Sequence, residues 1–98
     1  MTLEGALGLS RRPTLLLEHQ RLSDLLAGKH RILSDLLPQE ARIKAETFLA
    51  AQGSDRVRGN AADQASLHLS TQIIQTKKEI DALVVDLDNV RMQLHYST

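Results

Sequence analysis

Ala62, Ser66, Leu69, Ile73, Thr76, Ile80, Leu83, Leu87, Val90 and Leu94 follow one another in alternating steps of four and three residues. On an α-helix those steps put every one of these side chains on a single stripe, and such a stripe is stable in water only when another helix covers it. The spacing predicts a coiled-coil seam in the last third of the chain, covered by a helix from the same chain or from a second copy. Ile73, Ile80 and Leu87 are expected to be buried there. Ile74, Val84 and Val85 lie beside the stripe and widen it, as they would if two such helix pairs came together.

The composition agrees with a helical core. A chain of 98 residues is one domain, and a domain of this size buries only about 60% of the surface its unfolded chain exposes. Phe48 and Tyr96 are the only large aromatics and there is no Trp, so the core must be built from Leu, Ile, Val and Ala. The absence of Cys excludes disulfides, thiolate zinc sites and thiol nucleophiles. The Met1 to Leu9 stretch carries Glu4 and lacks the basic start of a secretory signal, and Ala82 to Val85 is far too short to span a bilayer. A cytoplasmic protein with no membrane contact is the expectation.

Twelve basic residues balance twelve acidic ones, which argues against a protein whose main task is a non-specific grip on nucleic acid. The balance is uneven along the chain: residues 1 to 60 hold nine Lys and Arg against seven Asp and Glu, and residues 61 to 98 hold three against five. Such an asymmetry is usually a solvated face.

Local signals divide the chain into an arm and three helices. Residues 1–13, with Leu3, Ala6, Leu7 and Leu9 interrupted by Gly5 and Gly8, read as a flexible or docking N-terminal arm. Ser10 or Thr14 can cap a first helix over about 14–36, and Leu15, Leu22, Leu25, Leu26, Ile32, Leu33, Leu36 and Leu37 recur in it at helical spacing. Pro38 lacks the amide proton of a continuing helix, so a boundary is expected there, with a second helix over about 38–51 that presents Ala41, Ala45, Phe48 and Leu49 on one face. Gly53 followed by Ser54 is a helix stop joined to a helix start, and a third helix is expected over about 54–95. Asn60 is an alternative start for it. Gly59 would be tolerated inside this helix through crowding by a partner helix. At 1.5 Å per residue the two shorter helices span roughly 55 Å together, against about 63 Å for the third. The fold predicted for residues 14–98 is therefore all-α, an antiparallel helical hairpin whose long C-terminal helix is covered by two shorter ones. Because two helices bury only one stripe, a homo-oligomer is expected.

Catalytic and ligand motifs do not emerge. His19, His30, His68 and His95 include no pair three or four residues apart, as two metal ligands on one helical turn would need. Asp86 and Asp88 point to different faces, and so do Ser66 and His68. Phosphate-loop and dinucleotide fingerprints are missing. No enzyme, metal or cofactor is expected. Arg42, Lys44, Arg56 and Arg58 lie close to the corner at Gly53 and form a candidate partner- or phosphate-binding cluster beside a helix start, against Glu40, Glu46 and Asp55 in the same region.

Read as a pattern, Ala41-Arg42 through Ala45 and Leu49, then Gly53-Ser54 and Arg56, then the seamed helix with Glu79-Ile80, Leu83 and Val90-Arg91, resembles the small helical accessory proteins of tailed bacteriophages over roughly residues 40–98. Some proteins of that kind are recombination mediators that oligomerise and load a recombinase onto coated single-stranded DNA. The resemblance implies the host cytoplasm as location and Arg42, Lys44, Arg56 and Arg58 as the matching basic positions. The Trp-x-Gly proteins of type VII secretion match in size and shape, but their Trp-x-Gly turn is absent. The reading that follows is a non-enzymatic, self-associating helical binding protein, phage-encoded and an accessory in DNA recombination, with itself, a protein and single-stranded DNA as candidate partners. The alternatives are a phage inhibitor of a host defence system that binds a protein or a small signalling molecule, and a structural part of a virion or scaffold.

The seam generates a direct test. Ile80→Asp puts an unpaired charge in an apolar stripe, where burial without a partner is strongly unfavourable. The variant is expected to lose helicity by circular dichroism or to lose oligomer mass. A folded variant of unchanged mass would mean that the register is wrong.

Overall fold

The structure is a computed structural model that describes the backbone of residues 3–96 and the side chains of residues 11–96. The protein is all-α. Helix α1 runs Leu3–Ala50, α2 Asp55–Ala65 and α3 Leu67–Tyr96, with no strand among the described residues. The chain divides into two compact units, the first made of residues up to Lys29 together with those from Glu79 onward, the second of His30–Lys78.

The expected boundary at Pro38 is absent, because α1 passes through it. Burial along α1 shows the physical reason. Leu15, His19, Leu22, Leu26, Lys29, Leu33, Leu36, Glu40, Ile43 and Thr47 are all buried or half-buried, and they too follow one another in steps of four and three. The stripe crosses Pro38 without losing phase, and Pro38 itself is exposed. A proline inside a helix costs about 3 kcal/mol through a lost hydrogen bond and a clash. Continuous packing on both sides offsets that cost, and the carbonyl left without its partner is four residues back at the exposed Ser34, on a surface open to water.

Three further expectations change with this one. Helix α1 is described from Leu3, so residues 3–13 of the expected arm and the caps proposed at Ser10 or Thr14 lie inside it. Met1 and Thr2, and the side chains through Ser10, fall outside the described residues. The second-helix face is also corrected. Of that face Phe48 is half-buried, but Ala41, Ala45 and Leu49 are exposed and the stripe passes instead through the half-buried Glu40, Ile43 and Thr47, because the register carried from Leu36 reaches Ile43 seven residues on.

The predicted third helix is interrupted, so the longest helix is the first and the C-terminal half is two helices. Ser66, fully buried, is the break. Its hydroxyl donates to the carbonyls of Ala62 at 3.0 Å and Asp63 at 3.3 Å, the local bonding that a buried Ser uses when no other partner is in reach and that bends helices. Thr76 makes the same kind of bond to Gln72 O at 2.8 Å without a break. The stripe of the C-terminal half continues through Ser66. Ala62, Ser66, Ile73, Thr76, Ile80, Leu87 and Val90 are buried, and Leu69, Leu83 and Leu94 are half-buried.

In the first unit Leu22, Leu87 and Val90 form the buried cluster, with Leu15, Leu26, Leu83 and Leu94 against it. Around that cluster Arg11 donates to Gln93, the Arg91 Nε to the His19 Nε2, and Lys29 pairs with Glu79. In the second unit the Ser70 hydroxyl donates to Glu40 and the Arg58 Nε to the Phe48 carbonyl. Between α1 and α2, Gly53 has φ +115°, a conformation that side chains resist, and Ser54 caps α2 by accepting from the Val57 amide at 3.3 Å. The start of α2 is thus at Ser54 and not at Asn60, which lies within the helix.

Pro38→Ala follows as a test of the unbroken helix. Restoring an amide donor relieves about 3 kcal/mol, and the freer unfolded chain returns about 1 of it. A net gain of about 2 kcal/mol should raise the melting temperature by several degrees. A lowered melting temperature would mean that Pro38 terminates α1 after all.

Candidate functional site

Because α1 is not restarted at Pro38, Ala45 and Leu49 stay outside the buried stripe, and with Phe48 they form one wall of a surface depression in the second unit. Lys44 completes that wall, and Gly59, Ala62 and Asp63 of α2 form the other. The depression is shallow, mainly apolar and about 500 Å³ in volume. Within the chain nothing crowds Gly59, since a Cβ added there would meet no atom of it within 4 Å. Its missing side chain leaves the wall low instead. Leu49 is 77% exposed at the rim.

Arg58 belongs to the same end of α2 but has a different task. Its guanidinium lies 4.3 Å from the centre of the Phe48 ring, and its Nε donates to the Phe48 carbonyl at 2.8 Å. That carbonyl is one of the last four of α1, which have no partner within the helix. The last turn of α1 contains no basic residue of its own. Arg58 therefore supplies from α2 the cation that the negative end of α1 favours, and fixes the Phe48 ring by a cation–π contact at the same time.

The remaining members of the basic cluster do not converge with it. Arg42 and Lys44 are two residues apart on α1, as are Arg56 and Arg58 on α2, which separates each pair by about 200° around its helix. Arg42 pairs with Glu46 at 3.9 Å, Lys44 with Glu40 at 3.7 Å and Arg58 with Asp55 at 3.9 Å. Arg56 is exposed in the first turn of α2. Charges with acidic neighbours this close present a weaker field to a phosphate than their number implies.

The histidines are dispersed. His19 is half-buried and accepts from Arg91 at 3.3 Å, His30 and His68 are exposed, and His95 meets Tyr96 edge to face at 5.2 Å. No group of three metal-ligating side chains is present among the described residues, and no described helix is long and apolar enough to cross a membrane. At the exposed Glu18–Arg21 pair the hydrogen bond from Arg21 holds the Glu18 carboxyl below its ordinary range. Exposed pairs three residues apart on a helix add little to stability.

The depression was not recognisable in the sequence, where Ala45, Phe48 and Leu49 read as an inward face. The signal that would have revealed it is the phase of Leu36, Ile43 and Thr47, which excludes Ala45 and Leu49 from the stripe. No protein family, curated protein or solved structure matches the chain.

Arg58→Ala removes the cap on α1 and the contact with Phe48 together. Hydrogen bonds to charged donors contribute about 1.5–3 kcal/mol, and a partly exposed cation–π contact about 0.5–1. A loss of about 2 kcal/mol is expected in denaturant melts, with Arg58→Lys recovering only part of it because a lysine lacks the planar fork. A melting curve identical to wild type would show that Arg58 is a solvated charge.

Proposed function

We propose that the protein is a non-enzymatic, self-associating helical binding protein, an antiparallel hairpin with a coiled-coil seam that acts by binding another macromolecule. The observation that carries this reading is the distribution of apolar side chains. Among the described residues six hydrophobics are buried, against thirteen large ones that are exposed. The exposed ones are ordered as well as numerous: Leu25 and Ile32, Leu67 and Ile74, and Val85 and Met92 each lie seven residues apart on one helix. A repeat of seven outside the buried stripe is the pattern of a helix covered on a second side.

A protein partner fits this surface better than nucleic acid. Three of the four basic residues near Gly53 have acidic neighbours within 4 Å, and the chain has no net charge. The phage accessory role remains the biological setting that the sequence pattern offers for such a protein.

Sedimentation equilibrium over a wide concentration range tests the core of the reading. The expected result is a mass that is a multiple of 10.9 kDa and falls on dilution. A single-chain mass at every concentration would reject self-association. If nucleic acid were the partner instead, binding would weaken steeply with salt.

A further inference from the structure

We propose that the side of α3 turned away from its buried stripe is the contact between two copies of this chain, laid antiparallel about a two-fold axis that passes between Glu79 and Ile80. Leu67 of each copy then meets Met92 of the other, Ile74 meets Val85, and Lys78 meets Asp81. The proposal rests on the self-association reading above and names the surface that carries it.

The pattern on that side of α3 is the first argument. Leu67, Ile74, Val85 and Met92 are each more than half exposed. With the exposed Lys78 and Asp81 between them they follow one another in steps of seven, four, three, four and seven residues. Such steps keep all six side chains on one stripe of a helix. The steps also read the same from either end, so each residue has a counterpart equally far from the midpoint between Glu79 and Ile80. Apolar answers apolar, and the cation answers the anion. Thr71 and Asp88, which divide the two steps of seven, are both polar. A helix that offers this face to an unrelated partner has no need for its two halves to match. A two-fold contact requires it, because residue i of one copy meets j of the other and j meets i.

Charge fixes the direction and the register. A parallel pair would match the apolar residues equally well, but it would set Lys78 against Lys78 and Asp81 against Asp81, and like charges facing each other in a contact are strongly unfavourable. Sliding the antiparallel pair by one heptad sets Ile74 against Lys78 in one direction and Val85 against Asp81 in the other. Only the alignment centred between Glu79 and Ile80 gives the four apolar residues apolar counterparts and both charges their opposites. Among the described residues neither Lys78 nor Asp81 has an ion pair within its own chain, whereas Asp88 is paired with Arg91 at 3.6 Å.

The experiment compares wild type with Ile74→Asp, Lys78→Asp, Asp81→Lys and the double variant Lys78→Asp/Asp81→Lys by sedimentation equilibrium, with circular dichroism to verify helicity. These residues are exposed, so every variant should keep its helicity. Ile74→Asp should raise the dissociation constant by about ten-fold or more, since it places an unpaired charge in the contact, whereas Leu25→Asp on α1 should leave it as it is. Each single charge reversal should weaken association, and the double variant should recover most of it. The chain has no Cys, so a mixture of Leu67→Cys and Met92→Cys should form a mixed disulfide-linked dimer, and Leu67→Cys alone should not link to itself. If wild type associates and Ile74→Asp does so equally well, or if Leu25→Asp is the variant that dissociates, this face of α3 is not the contact, although self-association stands. A double variant no better than the singles, or ready self-linking of Leu67→Cys, overturns the antiparallel alignment. A wild type that stays at single-chain mass overturns this proposal together with the reading beneath it.

Discussion

A stripe one side chain wide is all that a pair of helices can bury between them, and every other feature of this protein follows from how that narrow space is filled. In α1 it holds His19, Lys29, Glu40 and Thr47 beside its leucines, and in the C-terminal half it holds Ser66 and Thr76. Each of those polar groups needs a partner, because an unsatisfied polar group out of water is costly. His19 has Arg91, Lys29 has Glu79, Glu40 has Ser70, and Ser66 and Thr76 bond the carbonyls behind them. Leucines in these positions would bury more apolar surface, but they would fit equally well one heptad up or down. His19, Lys29 and Glu40 lose that indifference, since their partners on the facing helix exist in one alignment only, whereas Ser66 and Thr76 are satisfied within their own helix in any alignment.

The same polar members decided what could be read from the sequence. The C-terminal stripe is rich in Ile, Leu and Val, so its steps of four and three are visible without any structure, and the buried residues are the ones those steps pick out. The α1 stripe has a polar residue at four of ten positions, and its apolar pattern alone is too sparse to show that it runs on from Leu36 to Ile43. Without that continuity Pro38 looks like a terminator, since a local rule was weighed against a packing term that the sequence did not display. The break at Ser66 was hidden for the opposite reason. Ser66 and Thr76 are both hydroxyl residues on the stripe and both bond the carbonyl four residues back, yet only the first interrupts its helix. The signals at Gly53 and Ser54 were legible because turn chemistry is local: a positive φ needs glycine, and a hydroxyl caps the amide three residues on.

Arg58 shows why charge clusters are read poorly from sequence. Four basic residues within 17 positions look like a patch, but the helix sends neighbours two apart to different sides, and the end of a preceding helix competes for any cation within reach. Here the negative end of α1 takes Arg58 and the Phe48 ring holds it flat. The residues left uncommitted around it are apolar.

The position of that Arg58–Phe48 contact also bears on how quickly the chain finds its structure. It joins residues only 10 apart in sequence, whereas Ser70 and Glu40 are 30 apart, His19 and Arg91 are 72 apart, and Arg11 and Gln93 are 82 apart. The entropy lost in closing a loop grows with its length, but once the shortest loop is closed the next contact lies about two to three turns of helix further on and the one after it about six turns beyond that. Closing the corner at Gly53 therefore shortens every later loop, and the contacts that join the residues furthest apart in sequence gain most from it.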